Sequence, residues 1–388
     1  MCIKSILDTD LYKFTTSYAY MKLFPDAEGM FDFNDRDETE YDESFIEMLK
    51  YELANLSLLK LTKDEFEFVT EDIRFIPRCY WEWLKGFKFD SDKIRVSLGH
   101  KNHLVIQVKD KLYKATLYET PILAIVSEVR NRWLGHKIIM TDVIDKLAKK
   151  VHLSNVNQLK FSEFGMRRRF SYSVQDEVCN YLSQHAIYCV GTSNVHMAMR
   201  HNMKIVGTHP HEWFMFHGAQ YGYKQANYLA LENWVNVYDG DLGIALSDTY
   251  TTDVFLRNFS RKHAKLFDGV RHDSGDPYKF VNKVINRYKE LGIDPTTKTI
   301  VFSNALDFET YNEISEYCRT RIRCSAGIGT NLTNDCGYRP SNIVMKLIQC
   351  RMNDRQPWYH CVKLSDDAGK HVGELREVKN CIYDCRIV

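Results

Sequence analysis

No run of about eighteen apolar residues occurs in the 388-residue chain, so no transmembrane helix is expected. An excess of one charge is lacking too. The 52 basic and 51 acidic side chains leave a formal net charge of +1, which gives no reason to expect nucleic acid or an anionic membrane as a partner. Any anionic ligand must then be held by local basic clusters. The segment Met1 to Asp8 has no signal-peptide apolar core, because an acidic residue comes too early. There are 11 cysteines, an odd number, scattered and without a CxxC pair, which fits reduced thiols in the cytoplasm rather than a disulfide framework. Cys381 and Cys385 are the one close pair, and their spacing is a weak signal for pairing or metal. Low-complexity linkers and fixed-period repeats are also missing, so domain boundaries have to be read from changes of pattern.

What is present is ordinary for a globular protein: 44% hydrophobic and 27% charged residues, and a length that favours about two domains. Residues 1–120 mix helix-like segments (Phe45 to Leu59, Pro77 to Lys85) with alternating strands at 94–98 and 104–108, which reads as an α+β domain. Pro121 stands in the first turn of a strongly periodic helix. From about residue 158 strand-like runs at 159–164, 187–190, 204–208, 243–247, 299–303, 322–326 and 343–348 alternate with helices such as 172–184, 194–202, 277–291 and 307–319. This rhythm predicts βαβ units and a parallel sheet, and so many units in series favour an irregular, TIM-like α/β barrel over 121–348. The remainder, 349–388, turns polar and strand-like and is expected to rejoin the first domain.

Polar, glycine-bearing clusters close the strand patterns, as on the active rim of a barrel. Gly327-Ile328-Gly329-Thr330 comes late in the series, where backbone N–H groups beside glycine suit a phosphate, although a tight turn would look the same. Arg271-His272-Asp273-Ser274-Gly275-Asp276 sets a guanidinium, which grips a carboxylate or phosphate with two bonds, beside carboxylates suited to ribose hydroxyls or hydrated Mg²⁺. Asp276 before Pro277 reads equally well as a helix N-cap. Arg167-Arg168-Arg169 could be an anion clamp or a solvated turn. His209, His211 and His217 do not make a zinc site, because His211 and His217 are six residues apart and share no helical face. His209 and His217 read as buried structural imidazoles. His211, placed at a turn after a strand, reads as the reactive one, since a neutral imidazole is a competent nucleophile.

Together the segments LDTDLYKF, EFGMRRRFS, VGTSN, GTHPHEWF, GIALSDTYTTDVFL, VRHDSGDP, LGIDPTTKTIVFSNALD, GIGTNL, NIVMKL and VKLSDDAGK, in this order from Leu7 to Lys370, resemble the nicotinate phosphoribosyltransferase family, the shorter bacterial type most. The resemblance implies a type II phosphoribosyltransferase, usually a homodimer. It would join nicotinate to 5-phosphoribosyl 1-diphosphate with coupled ATP hydrolysis and Mg²⁺, giving nicotinate mononucleotide and pyrophosphate in NAD salvage. By the same resemblance His211 is phosphorylated by ATP. Tyr12, Thr208 and Arg271 contact nicotinate, Thr330 holds the 5-phosphate with Gly327 and Gly329, and Ser303 and Asn304 join the phosphate set. Asp273 and Asp276 face ribose or metal, and Arg167 and Arg169 contact diphosphate or carboxylate. Nicotinamide as substrate, or a non-catalytic nucleotide-binding relative, are the competing readings. Pro210 and His209 depart from the family pattern, and the tail Cys381 to Val388 matches nothing in it.

Overall fold

The computed structural model describes residues 1–207, 209–367 and 371–387. Eleven strands run through these residues: β1 (Glu28–Asp35), β2 (Ile94–Leu98), β3 (Leu104–Lys111), β4 (Phe161–Glu163), β5 (Cys189–Thr192), β6 (Ile244–Leu246), β7 (Gly269–His272), β8 (Thr299–Phe302), β9 (Arg323–Ile328), β10 (Ile343–Arg351) and β11 (Tyr359–His360). They form two sheets. One has five strands in the order β11-β10-β1-β3-β2, and the other has six in the order β5-β4-β9-β8-β7-β6. Every pairing in the first is antiparallel and every pairing in the second is parallel.

The parallel sheet is built as the alternating pattern predicts, with helices returning the chain between strands. The expected helices become Tyr172–His185, Val195–His201, Pro277–Glu290 and Phe308–Cys318. Each starts where a short polar side chain, Ser171, Asn194, Asp276 or Asp307, accepts a hydrogen bond from a first-turn backbone N–H, and this is why the strand-to-helix turns were legible. Gly269–His272, absent from the predicted strands, lies second from one edge as β7. Residues 204–207 do not form a strand and contribute only the bridge Thr192–Ile205. No ladder joins β6 to β5 among the described residues.

Residues 343–348, expected as a further strand of the parallel series, instead lie in β10 and pair antiparallel with β1. The physical reason is visible in the alternation. Ile343, Met345 and Leu347 are buried while Val344, Lys346 and Ile348 are half-buried, the one-sided pattern of an antiparallel layer rather than a strand covered on both faces. Late residues thus pair with early ones, and β11 extends the same sheet by pairing with β10. The largely buried helix Glu119–Trp133 packs on the helix Glu43–Ala54, on β10 and on the turn Met166–Arg168 that follows β4.

Candidate active site

The C-terminal ends of the parallel strands open into one cavity of about 400 Å³. β4 delivers Phe164, Gly165 and Arg167; β5 delivers Ser193; β7 delivers Arg271 and Asp273; β8 delivers Ser303 and Asn304; β9 delivers Gly327, Gly329 and Thr330. The helix Leu11–Leu23 adds Tyr12, and β10 of the other sheet adds Lys346. Gly327 owes its identity to close approach: a Cβ there would lie 2.3 Å from a ring carbon of Phe164.

His211 does not sit in a turn. It is the first residue of the helix His211–Tyr221, with Pro210 extended before it. Periodicity misses this helix because its first eight residues are all buried, leaving no polar face. His211 Nε2 is 2.8 Å from Asp248 Oδ1 and 3.5 Å from Asp273 Oδ2. Asp248 is wholly buried, accepts from Ser274 Oγ at 2.7 Å, and lies 3.3 Å from Lys363 Nζ. Asp273 accepts from Ser303 Oγ at 2.6 Å and lies 3.7 Å from Arg271 Nη2. Arg271 also donates to the His209 carbonyl at 3.3 Å.

The electrostatics follow from this packing. Burial, with Lys363 adding to it, pushes the His211 imidazole down to about 4, although Asp248 and Asp273 pull the other way. The ring is therefore neutral near pH 7, and since a carboxylate can only accept, Nε2–H donates to Asp248 and the lone pair rests on Nδ1. Burial alone would raise Asp248, but Lys363 and His211 hold it well below the usual carboxylate range. His209 is pushed down to about 3 by burial and Arg271, and His217 to about 4 by burial. Both rings are buried, as expected from the sequence; His217 lies outside the cavity lining, whereas His209 is part of it. Burial, Lys363 and Arg167 bring Lys346 down to about 7 against the pull of Glu119. Burial, Arg167 and Arg36 bring Arg168 down to about 10. Cations crowded at one cavity wall make an anion site.

Two expected residues are elsewhere. Arg169 is wholly buried away from the cavity, with Nη1 and Nη2 at 2.8 and 2.9 Å from the two Asp8 carboxylate oxygens and a further bond to the Cys2 carbonyl. Asp276 is exposed and accepts from Lys279 N at 2.8 Å, because Pro277 fixes it as an N-cap. Thr208 lies outside the described residues. Sequence reasoning gave no role to Asp248, Lys363, Lys346 or Arg36. Asp248 follows β6 as the other functional residues follow their strands, so the strand-end rule could have found it. Lys346 sits mid-strand in the other sheet and carried no such signal.

The ligand atoms of His211, Asp248 and Asp273 lie within 4.8 Å of one another, which invites a metal test. Their donor set does not fit a resident Mg²⁺, an oxygen-seeking ion, because one donor is an imidazole and both carboxylates already have cations beside them.

The family model for the nicotinate phosphoribosyltransferase family matches residues 159–382, and that for its N-terminal domain matches residues 7–127. The nicotinate phosphoribosyltransferase of Desulforapulum autotrophicum is 41% identical over 382 residues, covering 98% of each chain. The chain belongs to the nicotinate phosphoribosyltransferase family. It is thus an enzyme of the transferase class, in NAD biosynthesis. The family member from Chromohalobacter salexigens is 42% identical over 96% of this chain and 95% of its own. A crystal structure of a family member from Porphyromonas gingivalis superposes with a TM-score of 0.98 at 50% identity, covering 99% of this chain and all of that one. The Vibrio cholerae member superposes at 0.93 with 34% identity. No helix among the described residues is long and apolar enough to cross a membrane.

Proposed function

We propose that this chain transfers phosphoribosyl from 5-phosphoribosyl 1-diphosphate to nicotinate, and that ATP drives the reaction through a phosphohistidine at His211. The observation carrying this reading is the neutral His211 ring, its Nε2–H held by Asp248 and its Nδ1 without a hydrogen-bond partner among the described residues, in the lining of a cation-rich cavity. Nδ1 attacks the γ-phosphorus of ATP, the bond to the bridging oxygen breaks, and ADP leaves. Asp248 stabilises the positive charge that the ring then carries. In the transfer step the pyridine nitrogen bears no proton and needs no base. The protein aligns that nitrogen with ribose C1 and stabilises the departing pyrophosphate. Arg271 suits the nicotinate carboxylate, Tyr12 the ring, and Gly327, Gly329, Thr330, Ser303 and Asn304 the 5-phosphate. Arg167, with Lys346 beside it, suits the diphosphate. Mg²⁺ enters with the substrates as the counter-ion of their phosphates.

Ser193 follows β5 and Asp248 follows β6, the two outermost strands of the sheet. In a flat sheet their ends would be separated by roughly 24 Å at about 4.8 Å per strand. Convergence of both on His211 and its cavity supports an irregular barrel with an unpaired seam. The homodimer and the cytoplasm are likewise proposals, resting on the family and on the unpaired cysteines.

The test follows mononucleotide formation from nicotinate and from nicotinamide, each with and without ATP. Product from nicotinate, stimulated by ATP, is expected. Product from nicotinamide alone would transfer the chain to the amide substrate, and no product from either would favour a non-catalytic relative. His211→Ala is expected to keep slow transfer and lose all ATP stimulation; full stimulation of that variant would remove His211 from its role.

A further inference from the structure

Behind Glu119 and Glu212, which line the cavity, lies a buried charge that the reaction as derived does not use. Lys13 is 0% exposed, although lysine is almost never fully buried without partners. Its Nζ donates to Glu119 Oε2, to Glu212 Oε2 at 2.6 Å and to Thr116 Oγ1 at 3.3 Å. Thr116 Oγ1 donates in turn to Glu212 Oε1 at 2.6 Å. Each of the three directions leads to a residue of the site. Glu212 follows His211 in the first turn of its helix. Glu119 Oε1 lies 4.0 Å from Arg167 Nη1. The Lys13 ammonium also lies 5.1 Å from the centre of the Tyr12 ring.

This matters most at His211. Helices usually anchor their first turn with an N-cap side chain, and here the cap position is Pro210, which offers none. The backbone at the start of the helix is held instead by the Glu212 side chain, and by Tyr20 Oη donating to the Glu212 carbonyl at 3.4 Å. Lys13 bridges the two carboxylates Glu119 and Glu212, and Glu119 is shared with the Arg167 guanidinium and the nearby Lys346, so each glutamate carries its own connection to the site. A neutral amide at either glutamate releases one arm and leaves the other paired.

We propose that Lys13 is a positioning residue with two separable arms: through Glu212 it fixes the imidazole that accepts phosphate, and through Glu119 it fixes the guanidinium that meets the diphosphate. The proposal rests on the function proposed above. A displacement of about 1 Å at reacting atoms costs on the order of a hundredfold in rate, so even partial loosening should be measurable.

The experiment compares Glu212→Gln and Glu119→Gln in the full chain. It reads the single-turnover rate of phosphohistidine formation from labelled ATP, the KM for phosphoribosyl diphosphate in ATP-independent transfer, and Tm. Glu212→Gln is expected to slow phosphorylation of His211 roughly tenfold more than it slows ATP-independent transfer. Glu119→Gln is expected to do the reverse, raising the KM for phosphoribosyl diphosphate roughly fivefold with a smaller effect on phosphorylation. Thr116→Val removes one hydrogen bond to Glu212 and no charge, and should shift the two rates in the direction of Glu212→Gln; it decides the matter where the glutamine variants do not fold. Equal losses in both readouts, in proportion to a fall in Tm, would overturn the proposal and leave Lys13 a purely structural lysine. Absence of phosphohistidine in the unmodified enzyme would instead refute the phosphohistidine reading. The KM arm of the experiment would then stand alone as the test of the Glu119 arm.

Discussion

Arg167 and Arg169 are two positions apart in one arginine run and end in different surroundings: Arg167 lines the cavity, while Arg169 closes a buried ion pair with Asp8. Nothing in the run itself distinguishes them, because partners decide what a guanidinium does. Removing one member of a buried pair leaves the other charge uncompensated, at a cost of about 3–5 kcal/mol. Arg169→Met should therefore lower Tm steeply while the KM for nicotinate stays put in whatever protein remains folded, as thermal unfolding and initial-rate kinetics would show. Arg271→Lys should do the opposite, because a point charge replaces a two-toothed fork. The KM for nicotinate is expected to rise roughly tenfold with Tm nearly constant. An unchanged KM in the lysine variant would take Arg271 off the nicotinate carboxylate.

The helix His211–Tyr221 joins chemistry at its first residue to structure further along. Its His217 is wholly buried and satisfied as a neutral ring: Nδ1–H donates to the Trp213 carbonyl at 2.7 Å, and Asn233 Nδ2 donates to Nε2 at 2.9 Å. Burial lowers its pKa from 6.5 to about 4. Between those values the unfolded chain binds a proton that the folded one refuses, so this histidine stabilises the fold above pH 6.5 and progressively less as pH falls toward about 4. His217→Gln removes that linkage. Denaturant titrations at pH 7 and pH 4.5 should show the wild-type advantage over the variant shrinking, by up to about 3 kcal/mol. An advantage independent of pH would mean that the ring is not held neutral. The helix start illustrates the limit of reading elements from sequence. Caps such as Ser171 and Asp307 announce their helices, whereas a helix behind a proline with its first eight residues buried shows neither a cap nor an apolar stripe.

At the scale of the whole molecule the late strands are what tie the two sheets to one site. β10 occupies the interior of the antiparallel sheet, between β11 and β1, and carries Lys346 to the cavity. The segment after β11 carries Lys363 to Asp248, and there Asp366 accepts from the backbone N–H and Oγ1 of Thr252. Ending the chain after Ser341 would uncover the paired edge of β1 and the apolar residues that Met345 and Leu347 cover. Exposed edges of that kind recruit other chains. The truncated protein is expected in the insoluble fraction and, where soluble, as high-mass species by size-exclusion chromatography. A soluble species of unaltered oligomeric state with ATP-stimulated transfer would show that the late strands are dispensable.

The sequence alone determined what local physics determines: alternating strands and capped helices, the polar clusters at strand ends, and with them Tyr12, His211, Arg271, Asp273 and the Gly327–Thr330 loop as residues of one site. Each of these follows from neighbours a few positions away, or from motifs in a fixed order. Only the tertiary structure decided which of three adjacent arginines is buried, that of Asp273 and Asp276 only the first lines the cavity, and that residues 343–348 pair with β1. The same is true of the connections Asp248–His211, Lys363–Asp248 and Lys13–Glu212. Those contacts join residues 37, 115 and 199 positions apart, and what selects them is burial, which makes an unpaired charge too costly to leave alone.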